Sequence, residues 1–244
     1  MKIAVISDIH GNFEALKSVF EDIETEQVDK IINLGDFINY GPQSEEVTNF
    51  LLENEVLSIL GNHENAILYD ETLRKFQVHS RLSFMITKEQ LSDNSINYIK
   101  TLKYFYKEDD CYYVHGIPPD NCSDYIFKLD ENDVKEIFST YKEKVFFVGH
   151  THVQGMYFLN RDFLCKQKMI PDHEHRIDLD KKIIINIGSV GQPRGHDKDA
   201  HYVIYNTEEH SVKMKIVKYD IEKTIQLLNK YRYPQINSEI LKNY

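Results

Sequence analysis

The chain has 244 residues, enough to bury a core as one large domain, so its length does not require a second domain. With 41% hydrophobic and 28% charged residues it has the composition of a globular protein, and no apolar run approaches the about 18 residues of a membrane span. The formal net charge of −10 argues against sequence-independent binding of long nucleic acid, which depends on many Lys and Arg contacts to phosphate. We therefore expect one cytoplasmic domain over residues 1–244, with neither a membrane nor a long nucleic acid as its partner.

The N-terminal quarter predicts a β-α-β arrangement. Short apolar runs over residues 2–7, 29–34 and 56–60 have the composition of buried strands. Apolar residues recur at helical spacing over residues 13–23, and a second helix is predicted over residues 44–53 after a Gly-Pro turn. Because a helix separates each strand from the next, we expect the first three strands to be parallel.

The middle of the chain is predicted to be mainly helical. Apolar residues recur with helical period from residue 65 to about residue 102, with a break at residues 91–93. We expect residues 65–105 to form a helical flank or lid within the domain. A further helix is predicted from Asp130, as its N-cap, to about Tyr141.

Beyond residue 152 the pattern becomes mainly that of strands, with one helix near residues 221–231. Strands are predicted over residues 156–159, 183–187, 202–205 and 212–217. Because this half is rich in hairpins whereas the first half alternates strands and helices, we expect an α/β (α+β) fold with two packed sheets and helices outside them.

Six apolar runs end on residues that can bind a metal or a phosphate. In chain order, the runs are followed by Asp8-Ile9-His10, Gly35-Asp36, Gly61-Asn62-His63-Glu64, His115-Gly116, Gly149-His150-Thr151-His152 and the segment from Gly188 to Arg194. A buried strand delivers its last residues into a crevice at the carboxyl edge of the sheet. Several strands that end in this way would gather their ligands in one place, which predicts a polynuclear metal site.

The ligand types suit two divalent ions. Two ions about 3.5–4 Å apart need a bridging carboxylate, and Asp36 is the best candidate. Asp8 and His10 are separated by one residue and can turn towards one ion, with His152 from another strand as a further ligand. The second ion would take Asp36 together with Asn62, His115 and His150. Such ligands suit Mn, Fe, Zn, Co or Ni.

Five motifs resemble those of the calcineurin-like metallophosphoesterase superfamily and occur in that family's order. The motifs are DxH, GDxxxYG, GNHE, VHG and GHTH, between residues 8 and 152, and the segment from Asn186 to Arg194 is similar to one in its small bacterial phosphodiesterase members. The resemblance implies a four-layer α-β-β-α sandwich, with two mixed sheets flanked by helices and a di-metal site at the strand carboxyl ends. It assigns metal-ligand roles to Asp8, His10, Asp36, Asn62, His115, His150 and His152.

The resemblance also implies that His63 is a catalytic residue facing the leaving group. We expect in-line attack on phosphorus by a metal-bridging hydroxide, with His63 as the general acid. Family members that act on phosphoprotein monoesters resemble GDxxDRG and RGNHE, whereas here Asn39 and Tyr40 replace the Asp-Arg pair and Leu60 precedes Gly61. Two phosphate-binding arginines are thus absent, and so is the carboxylate that would orient His63.

A small phosphate ester is the expected substrate. A phosphodiester carries one charge fewer than a monoester dianion and needs less cationic clamping, so phosphodiesterase activity is favoured. Arg194, Asn12 and Tyr40 are the candidate substrate contacts, although the Tyr40 ring can instead pack over its loop. A second HxH, His173 and His175, lies in a polar stretch of mixed charge and predicts a solvated loop.

Two other functions stay open. A dinucleoside polyphosphate hydrolase or a phosphomonoesterase would use Arg194 or lid residues in place of the lost arginines. A non-catalytic metal-binding scaffold would have no need of His63, which this chain has. The sequence leaves the oligomeric state undecided, including a homo-oligomer.

Overall fold

The computed structural model describes residues 1–161, 163–195 and 197–242, and two mixed sheets form its centre. The strands are β1 (Lys2–Ile6), β2 (Lys30–Asn33), β3 (Leu57–Ser58), β4 (Phe105–Glu108), β5 (Cys111–Val114), β6 (Val145–Val148), β7 (Gly155–Asn160), β8 (Phe163–Gln167), β9 (Glu174–Arg176), β10 (Ile183–Asn186), β11 (Ala200–Asn206) and β12 (Ser211–Val217). The helices are α1 (Phe13–Glu26), α2 (Ser44–Glu53), α3 (Asn62–Leu68), α4 (Asp70–Arg74), α5 (Val78–Gln90), α6 (Asp93–Ile99), α7 (Glu131–Thr140), α8 (Ile221–Lys230) and α9 (Gln235–Lys242), with a 3₁₀ turn at Ile126–Lys128.

Each sheet has a parallel part and an antiparallel part beside it. The first sheet has the strand order β3-β2-β1-β11-β12-β9, and the second has the order β4-β5-β6-β10-β7-β8. In the first sheet β1, β2 and β3 are parallel, as predicted, and the others are antiparallel. In the second sheet β5, β6 and β10 are parallel.

The sheets pack face to face because their strands carry apolar side chains on both sides. Along β1, Ile3 and Val5 join the core between the sheets, whereas Ala4 and Ile6 join the core beneath α1 and α2. Side chains alternate between the faces of a strand, so a strand covered on both sides reads as a continuous apolar run. On the outer face of the second sheet, Val134 of α7 packs with Phe146. The layers are therefore helix, sheet, sheet and helix, as the fold prediction stated.

Helix boundaries follow local capping signals. The Oδ1 of Asn12 accepts a hydrogen bond from the N–H of Ala15 and caps α1. Asp130 caps α7 as predicted, and its own N–H donates to the carboxylate of Asp133. The helix predicted over residues 44–53 is α2, with the same bounds.

The helical segment after β3 comprises α3 to α6 and packs on the core beneath α1 and α2. Leu91 and Ile99 are buried there, and the predicted break between helices falls at Leu91 and Ser92. The segment is shorter than the expected helical flank, because residue 105 already begins β4. A helix that crosses a bilayer needs a long apolar run, and none of the helices described for this chain has one.

One local prediction is wrong. The stretch with His173 and His175 is not only a solvated loop, since it contains β9, which pairs with β12. His175 is buried, and its Nε2 accepts a hydrogen bond from the N–H of Ile170 at 3.0 Å. A three-residue edge strand has too little apolar pattern to be recognised without its partner strand.

Candidate metal centre

The candidate ligands lie at one edge of the two sheets. Asp8 and His10 follow β1, Asp36 follows β2, and Asn62 begins α3 after β3. From the second sheet, His115 follows β5, and His150 and His152 follow β6. The carboxyl ends of the parallel strands therefore meet at this edge, as the sequence predicts.

Left-handed backbone turns direct these side chains inwards. Five of the seven candidate ligands have positive φ angles, between 49° and 65°; they are Asp8, His10, Asp36, His150 and His152. Positive φ is uncommon for residues other than glycine, and such residues cluster at functional sites. The strand ends thus accept backbone strain in order to turn carboxylates and imidazoles towards one another.

The side chains form two groups joined through Asp36. In the first group the Nε2 of His152 lies 3.1 Å from the Oδ1 of Asp8 and 3.2 Å from the Nε2 of His10. In the second, the Nε2 of His115 lies 3.1 Å from the Oδ2 of Asp36 and 3.2 Å from the Nδ1 of His150. The Oδ2 of Asp36 is also 3.9 Å from the Nε2 of His10.

The four histidines present one ring nitrogen to the centre and bind a backbone carbonyl with the other. The ring pairs with carbonyl oxygens are His10 with Ile38, His115 with Leu34, His150 with Ser123 and His152 with Gln192. In a neutral ring, an N–H that donates to a carbonyl fixes the tautomer and leaves a lone pair on the other nitrogen, which is the form that binds a metal.

Buried oxygens of the cluster also lack partners. The Oδ1 of Asp8 and the Oδ1 of Asn62 are buried and accept no hydrogen bond within the described part of the chain. A buried acceptor without a partner is costly, and a cation would satisfy both. The donor set therefore fits divalent metal ions.

The pKa shifts indicate strong charge coupling inside the closed cluster. Burial would raise the pKa of Asp8, but the imidazoles of His152 and His115 hold it well below its usual range. Burial would lower the pKa of His115, but the carboxylates of Asp36 and Asp8 raise it to about 9. For His63, burial outweighs the attraction of Asp36 and lowers the pKa to about 4. The buried carboxylate of Asp8 is therefore ionised, and a buried negative charge is stabilised by a nearby positive charge.

Glu64 is a buried residue for which the sequence prediction named no role. Its carboxylate accepts hydrogen bonds from the backbone N–H groups of Asp36, Phe37, Ile38 and Gly61 at 2.7–3.1 Å. It thereby ties the loop of Asp36 to the start of α3. The only sequence signal was local: an acidic residue three positions after the N-cap of a helix.

His63 has a hydrogen-bond partner that the sequence prediction did not anticipate. The prediction treated Asn39 as the loss of an orienting carboxylate, but the Nδ2 of Asn39 lies 2.8 Å from the Nδ1 of His63. The His63 ring is buried and packs edge-on against His10 and obliquely against Phe76. The Nε2 of His63 is 3.8 Å from the Oδ2 of Asp36.

A cavity of about 420 Å³ opens over the centre. Its residues from the predicted site are Asp36, Tyr40, Asn62, His63, His150, His152 and Arg194. The sequence prediction missed the outer wall of the cavity. Lys75 and Phe76 of this wall lie between α4 and α5, and His79 lies in α5. These residues come from the segment that was expected to be a helical flank or lid.

The three predicted substrate contacts have different positions. Arg194 lies in the cavity wall, half-buried, and its Nη2 donates to the Oε1 of Gln192 at 3.0 Å. The Tyr40 ring lines the cavity and also packs 4.8 Å from the ring of His63. Asn12 is not brought to this cavity, because its amide caps α1 and donates to the carbonyl of Gly191.

Comparisons with known proteins identify the family of this chain. The model of the calcineurin-like phosphoesterase family matches residues 1–154. An uncharacterised protein of Methanocaldococcus jannaschii is 32% identical over 240 residues, which cover 96% of this chain and 94% of that protein. The crystal structure of a metallophosphoesterase from Sphaerobacter thermophilus has 28% sequence identity and a TM-score of 0.86, over 99% of each chain.

A more local similarity involves a symmetrical bis(5′-nucleosyl)-tetraphosphatase of Nitrosococcus oceani. It is 35% identical over 71 residues, which cover 28% of this chain and 26% of that protein. The family match spans the five motifs and the longer similarities span almost the whole fold. The chain belongs to the calcineurin-like phosphoesterase family.

Proposed function

We propose that this phosphoesterase is a phosphodiesterase that uses two divalent ions. Its substrate would be a small molecule in which two of the oxygens on phosphorus are esterified. One observation supports this proposal most strongly: Asp36 lies beside a ligand of each of two buried groups of metal-type side chains, and it lines an open cavity that also contains His63 and Arg194. A closed ligand cluster beneath an open cavity is suited to act on a bound molecule.

The ions would be divided between the two groups of side chains. Asp8, His10 and His152 would hold one ion, and Asn62, His115 and His150 would hold the other, with Asp36 between them. When bound, the ions would supply a water of lowered pKa and offset charge on the phosphoryl oxygens.

The residues of the chain would orient the ester. Arg194 would donate to a non-bridging phosphoryl oxygen, since its guanidinium has no carboxylate partner in the described ranges and already lies in the cavity wall. His63 would face the leaving group, because it lines the cavity and its Nε2 lies 3.8 Å from the Oδ2 of Asp36.

The charge of the cavity favours a diester over a monoester dianion. Among the described residues that line it, Arg194 is the one guanidinium, so the bidentate pair of arginines suited to a dianion is missing. A singly charged diester needs less positive charge around it.

A second candidate function is hydrolysis of a dinucleoside polyphosphate. A second cavity, of about 670 Å³, shares Asn62, Lys75, Phe76, Tyr125 and His150 with the first, so open space extends on both sides of these residues. This space would suit a substrate with a large group on each side of the reacting phosphorus. The local similarity to a symmetrical bis(5′-nucleosyl)-tetraphosphatase points in the same direction.

The test is a substrate panel on the full chain after chelation and reconstitution. Protein loaded separately with Mn²⁺, Zn²⁺, Fe²⁺, Co²⁺ or Ni²⁺ is assayed against matched aryl diesters, aryl monoesters and dinucleoside polyphosphates, and metal content is measured on the same samples. We expect two ions per chain and a higher kcat/KM for the diester than for its matched monoester. Preference for the monoester would contradict the diester proposal, and metal binding without hydrolysis of any substrate would favour the scaffold.

A further inference from the structure

We propose that Asn39 is a positioning residue that holds His63 with its proton on Nε2, so that His63 stabilises the leaving group as a neutral hydrogen-bond donor and the enzyme prefers substrates whose leaving group is a weak base. This inference rests on the proposed hydrolysis and specifies the bond that is cleaved.

The orientation of the Asn39 amide is fixed by two backbone contacts. Its Oδ1 accepts a hydrogen bond from the N–H of Tyr40 at 2.7 Å, and its Nδ2 lies 3.3 Å from the carbonyl oxygen of Ser80. A flipped amide would put an NH₂ group against the N–H of Tyr40 and an oxygen against the oxygen of Ser80. Asn39 is fully buried, so water cannot compensate for either mismatch.

The fixed amide decides which nitrogen of His63 carries the proton. The Nδ2 of Asn39 lies 2.8 Å from the Nδ1 of His63 and can only donate to it. Nδ1 must therefore be the acceptor, and the single proton of the neutral ring is on Nε2. In an imidazolium, Nδ1 would also carry a proton, and two N–H donors would face each other.

The Nε2–H is directed towards the reacting part of the site. Nε2 is 3.8 Å from the Oδ2 of Asp36, and His63 lines the cavity. Packing against Phe76 and Tyr40 restricts rotation of the ring, with centroid distances of 4.6 and 4.8 Å. The ring therefore presents a fixed donor to an oxygen bound in the cavity.

This donor can stabilise negative charge but is a poor source of a proton. A neutral imidazole is a far weaker acid than an imidazolium, so it does not protonate a departing alkoxide effectively. In the proposed step the bond from the attacking oxygen to phosphorus forms and the bond from phosphorus to the leaving oxygen breaks. The leaving oxygen keeps the electron pair and departs as an anion, and the proton of the attacking water goes to solvent.

A leaving group that departs unprotonated must be a weak base. The phosphate released from a phosphoanhydride meets this condition, whereas the alkoxide of an alkyl diester does not. The cavity wall also carries Arg194 and Lys75, neither of which has a carboxylate partner in the described part of the chain. These two cations would stabilise the charge of a departing phosphate.

The first test reads the His63 ring directly and does not depend on activity. Long-range ¹H–¹⁵N correlation spectra are recorded on the zinc-loaded full chain with ¹⁵N-labelled histidine, and the His63 signals are assigned by their loss in His63→Gln. We expect a proton on Nε2 and an unprotonated Nδ1. A proton on Nδ1, alone or together with one on Nε2, would overturn the proposal.

The second test measures how the rate depends on the leaving group. Methyl aryl phosphodiesters of graded phenol pKa are compared in wild type, Asn39→Asp and Asn39→Ala. A carboxylate at position 39 accepts from Nδ1–H and allows an imidazolium, so Asn39→Asp should raise the ratio of kcat/KM for the poorest to the best leaving group by about tenfold or more. Asn39→Ala should lower kcat/KM for all members without raising that ratio.

These outcomes separate the inference from the proposed function. If wild type hydrolyses no phosphoric ester or anhydride, the proposed function fails, while the spectra still report the tautomer. If wild type is active but Asn39→Asp, shown to be folded by circular dichroism and to bind the same amount of zinc, has the same leaving-group dependence, the inference is wrong.

Discussion

The Nε2 atoms of His10 and His152 lie 3.2 Å apart, although the other nitrogen of each ring is paired with a backbone carbonyl. Two nitrogens in this state direct lone pairs at each other, and neither has a proton to share. Such a pair is stable when a cation lies between the rings and costs free energy when none does.

Metal removal should therefore lower the stability of the fold. An ion that binds only the native state stabilises it by about 4 kcal/mol at a free concentration of 1,000 times Kd. We expect a lower Tm after chelation and full recovery when Mn²⁺ or Zn²⁺ is added back. Differential scanning calorimetry, with Mg²⁺ as a control for ionic strength, checks this, and an unchanged Tm in the verified metal-free protein would contradict it.

Asp36→Asn should reduce metal content more than His150→Ala. The Oδ2 of Asp36 lies 3.1 Å from the Nε2 of His115 and 3.9 Å from the Nε2 of His10, so Asp36 adjoins both ligand groups, whereas His150 belongs to one. We expect Asp36→Asn to lose both ions and His150→Ala to retain close to one per chain. Elemental analysis after gel filtration measures this. Loss of a single ion in Asp36→Asn would argue against a bridging role.

His63→Ala should remain loaded with metal but turn over slowly. Removal of one aligned donor to developing charge typically lowers kcat by about 10²–10³-fold. We expect a loss of this size with unchanged metal content and an unchanged circular dichroism spectrum. Equal losses of metal and of activity would show that His63 acts through the ligands.

Arg194→Ala should weaken substrate use without affecting the metal ions. A hydrogen bond to a charged group contributes about 1.5–3 kcal/mol, which corresponds to about 10–150-fold in kcat/KM. Arg176 is exposed on β9, so Arg176→Ala is the matched control and should behave like wild type. If the two variants had the same kcat/KM, the proposed role of Arg194 would be wrong.

Glu64→Gln should destabilise the fold. Each oxygen of Glu64 accepts two backbone N–H groups, so the NH₂ group of glutamine would oppose two donors inside the core. Each unsatisfied buried donor costs about 1–3 kcal/mol. We expect urea denaturation to give a free energy of unfolding lower by about 2–5 kcal/mol. Glu136→Gln, at an exposed position of α7, should change it by less than about 0.5 kcal/mol.

The sequence predicted the parts of the site that depend on residues close together in the chain. Asp8 and His10 are two residues apart at the end of a buried apolar run, and the strand direction alone brings them to the sheet edge. The same holds for His150 and His152. The fold class was predictable for a similar reason, since helix and strand periods are properties of short segments.

The sequence did not predict contacts that depend on orientation. Asn39 and His63 are 24 residues apart, and the contact between them depends on how an amide is turned by Tyr40 and Ser80. The strand β9 forms because its register with β12 satisfies its backbone groups, which no pattern in three residues reveals. The cavity wall around Lys75 likewise depends on how α4 and α5 pack.

The candidate ligands come from both sheets, and this has a mechanical consequence. Asp8, His10 and Asp36 extend from the first sheet, whereas His115, His150 and His152 extend from the second. Ions held among these residues would link the two sheets at one edge. The first and last of the residues are 144 positions apart in the sequence (152 − 8). A small displacement of one sheet relative to the other would change the distances between the ligands before either sheet lost a hydrogen bond. Metal release would therefore report on the relative position of the two sheets.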